Sequence, residues 1–183
     1  MGKLIATTQA TLDGVIDPVG EWVQPDGDHG DYSFERQARS SGMVLGRKTY
    51  EGLSAAYTAM AAGDEVTGFV TRMNSIPKHV ATRTLQTLSW NATALGADVA
   101  GELAAIKQQG DGYLLKYGTG PLDKTLIEHG LVDEFRIWIV PVTTPPGQRL
   151  FEDVGSVGME LTSSVTLSSG VVVLSYAPRR QTG

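Results

Sequence analysis

The chain has 183 residues, 41% of them hydrophobic and 19% charged, which suits one well-cored globular domain and excludes a disordered chain. A formal net charge of -5 argues against a general nucleic-acid or anionic-membrane surface, so any cationic site has to be local. With no cysteine, disulfides, thiolate catalysis and thiolate metal sites are excluded.

The first residues, Met1-Gly2-Lys3-Leu4-Ile5-Ala6, lack the apolar core of a signal peptide, and no run approaches a membrane span, so the expectation is a cytoplasmic protein. Lys3 to Thr8 reads as a buried strand. Asp13-Gly14 and Asp17-Pro18 follow as turn chemistry, with Gly14 suited to positive φ. Residues 17–31 form a loop rich in Pro, Gly and Asp, with Trp22 and Val23 as isolated apolar residues among others. Tyr32 to Ser41 reads as a helix stopped by Gly42, with Asp31 as its N-cap. A strand at 43–45 then turns at Gly46 into a helix from Arg47 to about Ala55, and Ala59 to Glu65 is a loop. Val66 to Thr71 is the next expected strand, ending at Thr71-Arg72.

Residues 76–81 and 85–90 read as shorter pieces, the second starting a strand that Trp90 helps bury. Asp98 to Gln109 is a helix capped by Asp98 and ended by Gly110. Tyr113 to Tyr117 is a strand, Gly118-Thr119-Gly120 a turn, and Leu122 to His129 a helix opened by Pro121 and closed by Gly130. Phe135 to Val142 alternates as a strand, and its exposed face is the expected homodimer surface. Trp138 within it fits core, ligand wall or subunit contact. Thr143 to Arg149 is a broken loop, 161–167 and 170–176 form a hairpin around Ser168-Ser169-Gly170, and 179–183 are a polar tail. Strands alternating with helices and then strands alone predict one α/β domain over 1–178. Its form is a three-layer αβα sandwich with a mixed, mostly parallel sheet and a C-terminal antiparallel hairpin.

Open α/β sheets bind ligands at the carboxyl ends of their strands. Three such ends draw notice: Gly46-Arg47-Lys48-Thr49, Thr71-Arg72 and Gly118-Thr119-Gly120. Cations at a helix N-terminus oppose its dipole unless an anion lies between them and the free amides. The alternative is that Arg47 and Lys48 splay into solvent. Cations and amides together match a dinucleotide with an extra 2′-phosphate. His29, His79 and His129 are too scattered to predict a metal site, and Asp133-Glu134 reads as structural.

The motifs Leu12-Asp13-Gly14, Leu45-Gly46-Arg47-Lys48-Thr49-Tyr50-Glu51, Val70-Thr71-Arg72, Gly118-Thr119-Gly120, Leu131-Val132-Asp133-Glu134 and Gly147-Gln148-Arg149-Leu150-Phe151 occur in order. In these the chain resembles the dihydrofolate reductase-like superfamily, in the branch of the C-terminal reductase domain of bacterial riboflavin biosynthesis. The resemblance implies an NADPH-dependent oxidoreductase. Its hydride acceptor would be a small pterin- or pyrimidine-like heterocycle, such as dihydrofolate or 5-amino-6-(5-phosphoribosylamino)uracil. It places Arg47, Lys48 and Thr49, after Gly46, on cofactor phosphates, and Thr71 and Arg72 beside the 2′-phosphate. Gly118, Thr119 and Gly120, with Pro121 and Leu122, fall at the pyrophosphate, and Asp13, Gly14, Val15 and Ile16 along the loop over the nicotinamide. Asp31 sits about where folate enzymes carry an acid, which burial would equip to protonate the substrate. Two features depart from the pattern: a single glycine precedes Gln148, and no acid is clearly matched. The missing acid keeps open a nucleotide-binding module of the same fold without turnover.

Overall fold

A computed structural model describes residues 2–18, 22, 28–63 and 67–179. Parts of the 17–31 loop (Val23 included), the start of the expected strand at Val66 and the tail from Arg180 lie outside the described residues. In chain order the elements are β1 (Lys3–Thr11), β2 (Val15–Asp17), α1 (His29–Ala38), β3 (Ser40–Gly46), α2 (Arg47–Ala61), α3 (Gly68–Ser75), β4 (Lys78–Ala81), β5 (Ala92–Leu95), α4 (Val99–Gln109), β6 (Tyr113–Tyr117), α5 (Pro121–Glu128), β7 (Glu134–Val140), β8 (Gln148–Arg149), β9 (Met159–Thr166) and β10 (Val172–Pro178). They form the expected α/β sandwich with mixed, mostly parallel strands, and the chain gathers into two compact units. No helix among the described residues is long and apolar enough to cross a membrane.

The first unit holds residues 2–3 and 34–117. Its strands run in the order β5-β4-β3-β6, all parallel. Strand β3, flanked on both edges, is an apolar run buried from Gly42 to Leu45, as a parallel strand covered on both faces has to be. Met43, Leu45, Tyr50, Met73, Ile76 and Val80 form its core, with Leu53, Tyr57, Phe69 and Trp90 packed around them. Leu53 and Tyr57 are four apart, and that shared face carries α2 past Ala55 to Ala61.

Three sequence expectations fail here, each for a visible reason. Residues 67–71 are not a strand. Thr67 caps helix α3, its Oγ1 accepting from the Val70 amide at 3.3 Å, and Val70 and Met73 bury at helical spacing. The helix stops because Ile76 precedes Pro77 and takes extended φ/ψ. Gly42 is not a helix stop but a position in β3 where a Cβ would press on the Leu114 side chain at 3.1 Å. Helix α1 therefore ends at Ala38. Finally, 85–90 is not a strand: Trp90 and Asn91 take positive φ and turn the chain into β5.

The second unit holds residues 4–33 and 118–179. Here β1 pairs with β7 in parallel, and β10 then β9 continue antiparallel, giving the expected C-terminal hairpin. Gly170 supplies its positive φ of 84°. Strand β7 is correspondingly buried. Arg136 is 7% and Trp138 5% exposed, the guanidinium held by Glu134 Oε1 at 2.6 and 3.0 Å and the indole N–H donating to Thr7 Oγ1 at 3.1 Å. The strand presents no open face, so the expected dimer surface at 135–142 is not there. The Asp133 carboxylate accepts the Leu4 amide at 2.6 Å, the structural role its position implied.

Candidate nucleotide site at the strand ends

In the first unit, register does the positioning. Gly46 is the partner of Ala81, and Ala81 of Leu95, so the carboxyl ends of β3, β4 and β5 lie side by side. Adjacent strands are about 4.8 Å apart, which brings Gly46-Arg47-Lys48-Thr49, Thr82-Arg83 and Gly96-Ala97 onto one edge. Gly46 is the N-cap of α2, has no side-chain cap, and no acid stands in the first turn. A Cβ on Gly46 would meet nothing within 4 Å, so the helix start is open. Arg47 and Lys48 are exposed and Thr49 half-buried. Arg47 bonds both oxygens of Glu51 at 3.2 and 3.0 Å, an exposed i,i+4 pair of little worth that an anion displaces readily.

Beside it, Thr82 Oγ1 accepts the amides of Thr84 and Leu85 at 3.3 and 3.2 Å, fixing the turn after β4 and keeping its own proton for donation. A cleft of about 480 Å³ opens there, lined by Thr82, Arg83, Leu95, Gly96 and Ala97. A hydroxyl and a guanidinium at a cleft, with uncapped helix amides on the same edge, are donors of the kind an anionic nucleotide requires.

Thr71 and Arg72 are elsewhere. Both lie on α3, not at a strand end, and Arg72 Nη2 donates to the Ser40 carbonyl at 2.5 Å. Thr71 and Arg72 are therefore not at a strand end, whereas Thr82 and Arg83 directly follow the end of β4. The sequence carried the signal twice, since Val80-Ala81-Thr82-Arg83 repeats the pattern of an apolar run closed by a hydroxyl and a cation.

In the second unit, Thr11 Oγ1 donates to Asp13 Oδ1 at 2.6 Å and accepts the Val15 amide at 2.9 Å. That bond from Thr11 is the main reason the Asp13 carboxyl lies below its ordinary value. Gly14 takes φ 84°, a Cβ there would have nothing within 4 Å, and its carbonyl accepts the Leu150 amide at 2.9 Å where β2 pairs with β8. Gly147 is the glycine this pairing needs, because a Cβ there would collide with the Asp17 carbonyl. Val15 and Ile16 are buried at 1% and 7% exposure, so the part of this stretch open to a ligand is Asp13 and Gly14.

The turn at Gly118 is less bare than its composition implies. Gly118 N–H is taken by Thr7 O at 2.9 Å, Gly120 N–H by Asp123 Oδ2 at 2.8 Å, and Pro121 has none. What remains notable is Thr119 Oγ1, buried without a hydrogen-bond partner, at the start of α5 where Leu122 occupies the first turn. Asp31 stands in the first turn of α1, not at its N-cap, and is exposed, as is Glu35. The burial that would equip Asp31 as a proton donor is absent. Among the described residues no group of three metal-ligating side chains occurs.

The fold has known counterparts. Dihydrofolate reductase from Enterococcus faecalis, complexed with NADP(H), matches over 97% of this chain and 97% of its own at TM-score 0.65 and 19% identity. A pyrimidine reductase-like protein from Corynebacterium diphtheriae matches over 98% and 93% at TM-score 0.64 and 13% identity. At these identities what is shared is architecture, and it is that of the dihydrofolate reductase-like proteins. Residues 2–173 match the RibD C-terminal domain, and the chain belongs to that family. It is 29% identical over 178 residues to YyaP of Bacillus subtilis (strain 168), an uncharacterized protein, covering 95% of this chain and 94% of that one.

Proposed function

We propose that the protein is a cytoplasmic NADPH-dependent reductase acting on a small pterin- or pyrimidine-like heterocycle. The observation that carries the reading is the edge formed by β3, β4 and β5, where a cleft lined by Thr82 and Arg83 lies on the same strand-end edge as the uncapped start of α2. Thr82 and Arg83 take the 2′-phosphate in place of Thr71 and Arg72. Arg47, Lys48 and Thr49, with the amides after Gly46, take further phosphate charge. Thr119 and Leu122, in the turn with Gly118, Gly120 and Pro121, are assigned to the pyrophosphate by motif order, and the unpartnered Thr119 hydroxyl fits that role. Asp13 and Gly14, backed by the buried Val15 and Ile16, are assigned to the nicotinamide by motif order. NADPH would supply the hydride, and the chain's own part is orientation and exclusion of water, with the proton drawn from solvent.

A second reading, a nucleotide-binding module without turnover, is favoured by the exposure of Asp31. Loss of reduced-nicotinamide absorbance on adding dihydrofolate or 5-amino-6-(5-phosphoribosylamino)uracil separates the two. Oxidation above the protein-free rate supports the reductase, whereas tight NADPH binding with no oxidation by either acceptor supports the module.

A further inference from the structure

Strand β1 is buried at every position from Leu4 to Thr11 except Gln9, which is half-exposed. A carboxamide at the single open position of a sealed strand is not what packing asks for. Gln9 Nε2 lies 3.3 Å from His29 Nε2, and Gln9 Oε1 is buried without a hydrogen-bond partner. An amide donating into that imidazole nitrogen turns its carbonyl the other way. The histidine is held rigidly for this purpose. It is 4% exposed, stacked on Trp138 at 4.8 Å and 29°, with Tyr32 edge-on to the same indole at 5.5 Å and 77°. Trp138 is thereby core, its ring and N–H both engaged, and Gln9 is where this stack meets the outside.

A buried acceptor left unpaired is unfavourable until a donor arrives. Gln9 also precedes Asp13 by four residues, on the strand that leads into the loop assigned to the nicotinamide, where a hydride acceptor has to lie. We propose that Gln9 reads the substrate, its Oε1 accepting an N–H from an amide- or amidine-like edge of the heterocycle, and that His29 is the positioning residue that aims it. This rests on the reductase reading and adds to it the polarity of the substrate edge: a donor, facing a neutral acceptor.

The test is a titration of the protein saturated with NADP+, using 5,6-diaminouracil and 7,8-dihydropterin, each against its ring-N-methylated derivative. The wild type prefers the N–H compound of at least one pair by about tenfold or more, the usual worth of a buried hydrogen bond. Gln9→Leu abolishes that preference, and Gln9→Glu, which keeps the acceptor, retains it. His29→Ala weakens the preference and His29→Gln, which still offers an acceptor to the Gln9 amide, restores it, with NADP+ affinity unchanged in all four. That last pair is a readout a purely structural histidine would not give. A wild type that binds NADP+ but shows no preference in either pair, or a preference that survives Gln9→Leu, overturns the proposal. A wild type that binds no NADP+ fails earlier and takes down the reductase reading on which it rests.

Discussion

Lys78 offers a quantitative check on the packing beneath the β3–β5 edge, because it sits in β4, the strand whose end carries Thr82 and Arg83. It is 1% exposed. Its ammonium donates to the Asn74 carbonyl at 3.1 Å and lies 4.0 Å from the Trp90 ring centroid. Trp90 is itself fixed by Asn74 Oδ1 at 2.7 Å and stacks on Tyr57. Burial first, and the neighbouring Arg72 charge second, push the Lys78 pKa from 10.5 down to about 8. Since one pH unit corresponds to about 1.4 kcal/mol, that gap holds ~3 kcal/mol against the folded state wherever both states are charged.

Below pH 8 both states keep the proton and the whole penalty applies. From about 8 to 10.5 the folded state sheds the proton while the unfolded state retains it, so stability rises with pH. The buried Tyr57 phenol, raised by desolvation, works in the opposite sense above 10.0, which confines the useful window to its lower part. Urea unfolding at about pH 7.5 and about pH 9.5 should show the wild type gaining ~2 kcal/mol from this group. Lys78→Met keeps the apolar stem and loses that gain. Parallel profiles for the two proteins would refute the reasoning.

Two further outcomes test local structure. Asp98→Ala removes the side-chain bond to the Gly101 amide at 2.9 Å and should cost about 1 kcal/mol in urea unfolding, as N-cap losses do. Thr11→Val removes the bond that depresses Asp13, so the Asp13 carboxyl carbon should titrate at higher pH by NMR. In the wild type the stability linked to Asp13 is present above 3.8 and lost as pH falls through the depressed value, and the variant shows a smaller acid-side loss, because backbone bonds and Arg149 still lower this carboxyl.

Much of the fold was legible because apolar runs and breakers coincide. Tyr113–Tyr117, the Asp98 cap and the helix opening at Arg47 are where the pattern put them. The failures share a cause: an apolar run of four or five residues does not distinguish strand from helix until its neighbours are known. Phe69-Val70 became helical because Thr67 caps it and Met73 completes a buried face, and the Thr-Arg pair at its end moved with it. The equivalent pair at Thr82-Arg83 follows Pro77, which bars a helix across that residue, so the stronger strand signal was the later one. Gly42 shows the same limit, since a glycine that stops a helix and one that admits Leu114 read alike. In the first unit the type of strand-end chemistry was legible, and the hydroxyl–cation pair that follows a strand stands one element later than expected. The pairing of Gln9 with His29, twenty residues apart, has no local signature at all.

The most direct test of the account is the affinity of the wild type, Arg83→Ala and Arg72→Ala for NADPH and NADH, followed by tryptophan fluorescence. Arg83 is exposed, so its bond to a 2′-phosphate belongs at the low end for a charged pair, ~1.5 kcal/mol or about tenfold. The account predicts an NADPH-preferring wild type, a tenfold loss for NADPH alone in Arg83→Ala, and an unchanged preference in Arg72→Ala, whose guanidinium serves Ser40. A preference that survives Arg83→Ala and disappears in Arg72→Ala, or a wild type that binds neither cofactor, would contradict it.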